Sequence, residues 1–149
     1  MSLKARLGDD MKQALRAGDK HRLSTLRMTL AAIQQREVDE RIELDDPQVL
    51  SVIEKMIKQR RESAVQYRAG HREELALREE AEIGFLDHYL PEPMSDADLD
   101  AMIAQVIADT GAGSMRDMGK VMSQIKQLAE GRADMAAVSA KVKASLSAG

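Results

Sequence analysis

Arg60, Glu79 and Glu82 are the residues whose types and spacing come nearest to a chemical device. At roughly 100° per residue, each falls on or beside the apolar face of its own helix. Arg60 lies among Ile53, Met56 and Tyr67, and the two glutamates flank a stripe from Leu75 to Leu86. Arg27 and Glu37 sit in the same way beside Leu23, Leu30 and Ile33. Paired carboxylates in a cleft can carry general acid–base chemistry. Here no His, Ser or metal-type spacing accompanies them. They read instead as an ion network across helices, because an unpaired buried charge is too costly, and Arg60 is expected to meet Glu79 or Glu82.

The second group is cationic. Arg116, Lys120, Lys126, Arg132 and Lys141, with Lys143, stand in a tract whose acids are Asp117, Glu130 and Asp134. Such side chains can contact the phosphates of an anionic partner, and they are the candidate RNA-binding residues. The remaining motifs point away from chemistry. His21, His71 and His88 show no pairing of the H-x-x-x-H or H-E-x-x-H kind, so no metal and no cofactor is expected. Gly113 to Lys120 differs from a phosphate loop, because Val121 stands where Ser or Thr is required and no strand precedes it. Met115, Met118 and Met122 recur at helical spacing and read as core, and Lys55, Lys58 and Arg61 read as a solvated face. No catalytic residue is assigned.

The elements that must position these groups are helices. Aromatic residues make up 2% of the 149, so aliphatic side chains and methionine must fill the interior. That suits packed helices better than a sheet. With 44% hydrophobic and 32% charged residues the chain can bury a core. It has no cysteine, which excludes disulfides and thiolate chemistry. There is no apolar run of about 18 residues and no secretory leader, so no membrane partner and a cytoplasmic location are expected. The net charge of −3 disfavours general coating of nucleic acid and leaves only a local patch.

The chain reads as all-α, with an N-terminal bundle of long helices over 1–90 and a small three-helix C-terminal domain over 94–149. Leu3, Leu7, Met11, Ala14 and Leu15 give a first helix ended by Gly18. Asp19 caps a second, with Leu23, Leu26, Leu30, Ile33 and Val38 inward. Asp46 is expected to cap a third, with Pro47 at its first position. Gly70 stops that helix, and a fourth runs from about Arg72. Pro91-Glu-Pro93 marks the boundary, since no helix continues through it. Ser95 with Asp98, and Ser114 with Asp117, read as capping boxes. Gly131 is expected to end the next-to-last helix by a positive φ, and Asp134 to cap the last.

These motifs, in this order, resemble the YqeY-like (GatB/YqeY) family. The matching stretches are Leu3-Lys-Ala-Arg-Leu-Gly-Asp-Asp-Met-Lys, Arg22-Leu-Ser-Thr-Leu-Arg, Lys58-Gln-Arg-Arg-Glu-Ser and Glu79-Glu-Ala-Glu-Ile. They continue through Tyr89-Leu-Pro, Ser114-Met-Arg-Asp-Met-Gly-Lys-Val-Met and Gly131-Arg-Ala-Asp, and so cover nearly the whole chain. The resemblance implies an all-α, two-part architecture. It also implies kinship of the C-terminal half with the tail of the B subunit of the aspartyl/glutamyl-tRNA amidotransferase, a part associated with tRNA recognition. Relatives often carry a basic residue before the Gly of the last corner, where this chain has Ala129-Glu130. The expected function is therefore a tRNA-binding or tRNA-associated accessory protein. The alternatives are a carbon–nitrogen ligase activity with glutamine as amido donor, which the resemblance alone suggests, and a module that docks on a larger protein complex.

Overall fold

The computed structural model describes residues 1–129 and 132–148. Among these residues the secondary structure is seven α-helices and one 3-10 turn, with no strand. The chain divides into two compact units, Met1–Leu90 and Pro91–Gly149.

The first unit holds α1 (Leu3–Ala17), α2 (Lys20–Glu40), α3 (Asp46–Ala69) and α4 (Glu73–Asp87). Its local boundaries follow from capping chemistry. Ser2 accepts the Ala5 N–H to start α1, and Gly18 ends it at φ 71°, a left-handed conformation that costs glycine no Cβ clash. Asp19 accepts the Arg22 N–H and starts α2 at once, so α1 and α2 form a tight helical hairpin. The cap of α3 is Asp45, not Asp46. Asp45 and Gln48 form a reciprocal box, each side chain accepting the other's N–H at 3.0 Å. Asp46 instead accepts the Leu3 N–H at 2.9 Å and ties the start of α1 to the start of α3.

α3 packs most extensively on α4, α1 packs on α2 and α3, and α2 also touches α3 and α4. Leu7, Leu26, Ile33, Val49, Ile53, Ile57, Leu86 and Tyr89 fill the core. Two residues expected inside are outside: Leu15 is 56% exposed and Val38 65%. Val38 follows Ile33 by five residues, which turns it about 140° away from the packed face. The space on α2 is taken by Thr25 and Thr29, both buried. Their hydroxyls donate to the His21 and Thr25 carbonyls at 3.0 and 2.9 Å, so they enter the core with their polar demand met. Arg27, expected beside the apolar face, is exposed for the same angular reason.

The second unit holds α5 (Asp96–Thr110), α6 (Met118–Ala129) and α7 (Met135–Ala148), with the 3-10 turn at Met115–Asp117. Ser95 caps α5 through the Asp98 N–H, and Gly111 ends it at φ 67°. Ser114 caps the 3-10 turn rather than an α-helix: it accepts from Arg116, while Asp117 reaches back to the Gly113 N–H at 3.1 Å. The expected helix from Ser114 is thus delayed to Met118. Asp134 caps α7 by accepting the Ala136 N–H. The expectation for Gly131 lies outside the described residues.

Leu99, Ile103 and Val106 meet Val121, Ile125 and Ala129, and both rows meet Val138, Val142 and Leu146. Met118 and Met122 pack against this core as expected, whereas Met115 is exposed. Leu26→Ala should cost about 2–5 kcal/mol in urea unfolding, by lost burial and a residual cavity. Leu15→Ala, at the exposed position, should stay within about 0.5 kcal/mol.

Candidate functional site

The network expected around Arg60 exists, and Glu82 is its carboxylate. Arg60 leaves α3 toward α2 and α4 with only 8% of its side chain exposed. One Nη donates to the Met56 carbonyl at 3.2 Å. The other lies 3.4 Å from Glu82 Oε1 and 4.0 Å from Met28 Sδ. The second oxygen of Glu82 stands 3.5 Å from His21 Nε2 on α2, at ion-pair distance but without a hydrogen bond. The His21 ring meets Phe85 edge-on at 5.2 Å. One carboxylate therefore joins three helices. Nε of Arg60 is buried and unpartnered, so the guanidinium is not fully satisfied. No group of three or more metal-holding side chains occurs among the described residues. What this arrangement does chemically is hold register: rotating α3 or α4 would strand a charge in an apolar layer.

Two further long-range polar contacts have partners that the sequence did not name. Tyr89, just past α4, donates its hydroxyl to Asp10 on α1 in a short hydrogen bond, and the Arg6 guanidinium lies 4.9 Å over its ring. Burial first, and then the Asp10 carboxylate, push the phenol well above its ordinary value of 10.0. A raised phenol contributes its stability below that value and loses it as pH rises above it. Glu37 on α2 accepts from Lys4 Nζ at 2.8 Å and from the Leu44 N–H at 2.9 Å. The Lys4 bond, and then the Leu44 bond, hold its carboxyl below the ordinary 4.5. The expectation that Glu37 pairs across helices is met by α1.

The cations of the second unit divide into two kinds. Lys141 on α7 is engaged, its Nζ 2.8 Å from Asp100 and 3.9 Å from Asp96 on α5, and these carboxylates raise its pKa. Arg132 donates Nε to the Glu92 carbonyl at 3.3 Å, and its own carbonyl accepts the Met94 N–H at 2.8 Å, so it clamps the strap of residues 92–94 around Pro93. Arg116 on the 3-10 turn and Lys120 and Lys126 on α6 are exposed. No acidic partner reaches any of the three among the described residues. Lys120 and Lys126 are six residues apart and flank the buried Val121–Ile125 row about 120° from each other, so α6 presents charge on both its flanks.

Replacing Arg60 by Met alone should cost about 3–5 kcal/mol, because Glu82 is left in a dry layer. The double variant Arg60→Met/Glu82→Leu should be much less destabilised than the sum of the single variants, a non-additivity readable by chemical denaturation. The Glu37 contribution is present above the ordinary carboxylate range and is lost as pH falls through it. Glu37→Gln should therefore lose less thermal stability than the parent between about pH 5 and about pH 3.

Comparison with known proteins agrees with the sequence motifs. The chain is similar to altered inheritance of mitochondria protein 41, mitochondrial, of Kluyveromyces lactis, at 34% identity over 109 residues, 70% of this chain and 58% of that protein. The protein of the same name from Lachancea thermotolerans is 32% identical over 108 residues, with the same coverage. That of Pyrenophora tritici-repentis is 29% identical over 141 residues, 93% of this chain and 77% of the relative. The chain thus spans 58% of the length of the first two relatives. Yqey-like proteins match it over residues 4–146, from the start of α1 to the end of the α7 core row, and the chain belongs to that family.

Proposed function

We propose that the chain is a tRNA-associated accessory protein whose C-terminal unit touches the phosphate backbone through Arg116, Lys120 and Lys126. In this reading residues 94–149 are the tail-like, RNA-facing domain and residues 1–90 the bundle that carries it. The observation that supports it is the division of the cations. Lys141 is neutralised by Asp100 and Arg132 is bonded to a carbonyl, whereas Arg116, Lys120 and Lys126 are solvated and unpaired among the described residues. Lys141 and Arg132 then serve the RNA contact indirectly, by holding α7 and the strap in place. All three aromatic residues precede the prolines, so phosphate contacts and RNA shape, not base stacking on this unit, would supply binding.

The relatives are mitochondrial by name. No helix among the described residues is long and apolar enough to cross a membrane. In a host with the organelle we place the chain in the mitochondrion, in place of the cytoplasm expected from the residues; subcellular fractionation checks this.

Filter binding of the full chain to tRNA across a salt series tests the RNA reading. Three phosphate contacts should give a slope of about −2 to −3 in log affinity against log salt, since each contributes about −0.7 to −0.9. Lys120→Ala and Lys126→Ala should each weaken binding uniformly across tRNAs and flatten the slope by about 1. Lys141→Ala should leave the slope unchanged. No binding at low salt, or binding indifferent to salt, removes the proposal, and recovery of protein partners after nuclease treatment would replace it with a docking role.

A further inference from the structure

We propose that the first unit carries a binding site for a small organic oxyanion in an open hollow between the start of α2 and the middle of α4. The hollow, open to solvent, has a volume of about 480 Å³. That is within the roughly 300–1,000 Å³ of small-molecule sites. Lys20, His21 and Ser24 line it from α2, and Glu74, Leu77, Arg78 and Ala81 face them from α4. Both sets recur at the three- and four-residue spacing of a single helix face, so two ridges flank one groove.

Charge selects the ligand. Lys20 and Arg78 have no carboxylate partner among the described residues. The one carboxylate lining the hollow, Glu74, is taken by Arg72 at 2.8 Å, which holds its carboxyl below the ordinary range. Glu82, behind His21, is matched by Arg60. The hollow is therefore left with uncompensated positive charge, and an oxyanion can be met by an ammonium, a guanidinium fork and the Ser24 hydroxyl. The N-terminal turn of α2 is already capped by Asp19, so these side chains, and not the helix end, would hold the oxyanion.

Two features fix the remainder of the ligand. Leu77 is 55% exposed on the wall beside Arg78, a shelf that an apolar group would cover. The His21 ring meets Phe85 edge-on at 5.2 Å and lies 3.5 Å from Glu82, so the inner wall is already packed against α4. The ligand class is a phosphoester or carboxylate bearing an apolar group. This site is independent of the RNA surface of the C-terminal unit.

The test is an NMR titration of the full chain with inorganic phosphate, phenyl phosphate and benzoate. Saturable shifts confined to residues 20–24 and 74–81 are expected. Phenyl phosphate should bind about tenfold more tightly than inorganic phosphate through the Leu77 shelf. Arg78→Ala and Lys20→Ala should each weaken binding about fivefold, and Leu77→Ser should erase the preference for the phenyl group. All three positions are exposed, and unchanged circular dichroism melting confirms that the variants fold. Shifts that never saturate, shifts spread over the surface, or affinity indifferent to Arg78→Ala would overturn the proposal. A loss of tRNA affinity in Lys20→Ala and Arg78→Ala, without organic-anion binding in the parent, would overturn it also and assign the hollow to RNA.

Discussion

Arg60 sets the terms for the first unit. A guanidinium with 8% of its side chain exposed, in a layer made by Ile53, Met56 and Ile57, must find most of its partners within the protein because little water reaches it. Its own helix supplies one acceptor, the Met56 carbonyl, and only another helix can supply the carboxylate. α4 does so with Glu82, whose second oxygen then faces His21 on α2. Such a pair adds little net stability over an apolar layer of equal volume. What it adds is discrimination. Aliphatic faces slide past one another at small cost, whereas a slipped α3 or α4 leaves charge unmatched. The extensive packing of α3 on α4 is thus pinned at one point by chemistry that tolerates few alternatives.

The second unit solves its packing differently. Among the described residues the buried polar side chains Thr25, Thr29 and Arg60 all belong to the first unit. The C-terminal core is rows of Val, Ile, Leu and Ala spaced three or four apart, with methionines at its margin. Its charges work at the surface instead. α5 carries Asp96, Asp98, Asp100 and Asp109, and α6 carries Lys120 and Lys126. Lys141 ties α7 to the acidic helix α5, and this uses up a cation that would otherwise face solvent. The partition matters for function, because a phosphate contact requires a cation that the fold has not already spent.

The proposed phosphate-contacting cations of the second unit and the hollow proposed in the first draw on the same physics. In each, folding neutralises the nearby carboxylates and leaves selected cations free. Glu74 and Glu82 are matched by Arg72 and Arg60, and Asp100 by Lys141. The uncompensated residue of charge is what a partner reads.

The helices themselves were determined by the sequence. Ser2, Asp19, Ser95 and Asp134 cap where they stand, Gly18 and Gly111 take the left-handed turn, and the prolines at 91 and 93 interrupt, because each effect acts within a few residues. Even the partner of Arg60 was narrowed to two glutamates, since burial leaves a charge no choice but to pair. The tertiary structure decided everything that depends on a second element. It chose Glu82 over Glu79, Asp45 over Asp46 as cap, and Thr25 and Thr29 over Val38 as core. It also joined Tyr89 to Asp10 across most of the first unit, and it divided the cations into bonded and free. Helical periodicity places a side chain on a face, but only the neighbouring helix determines whether that face is covered and which charge lies opposite.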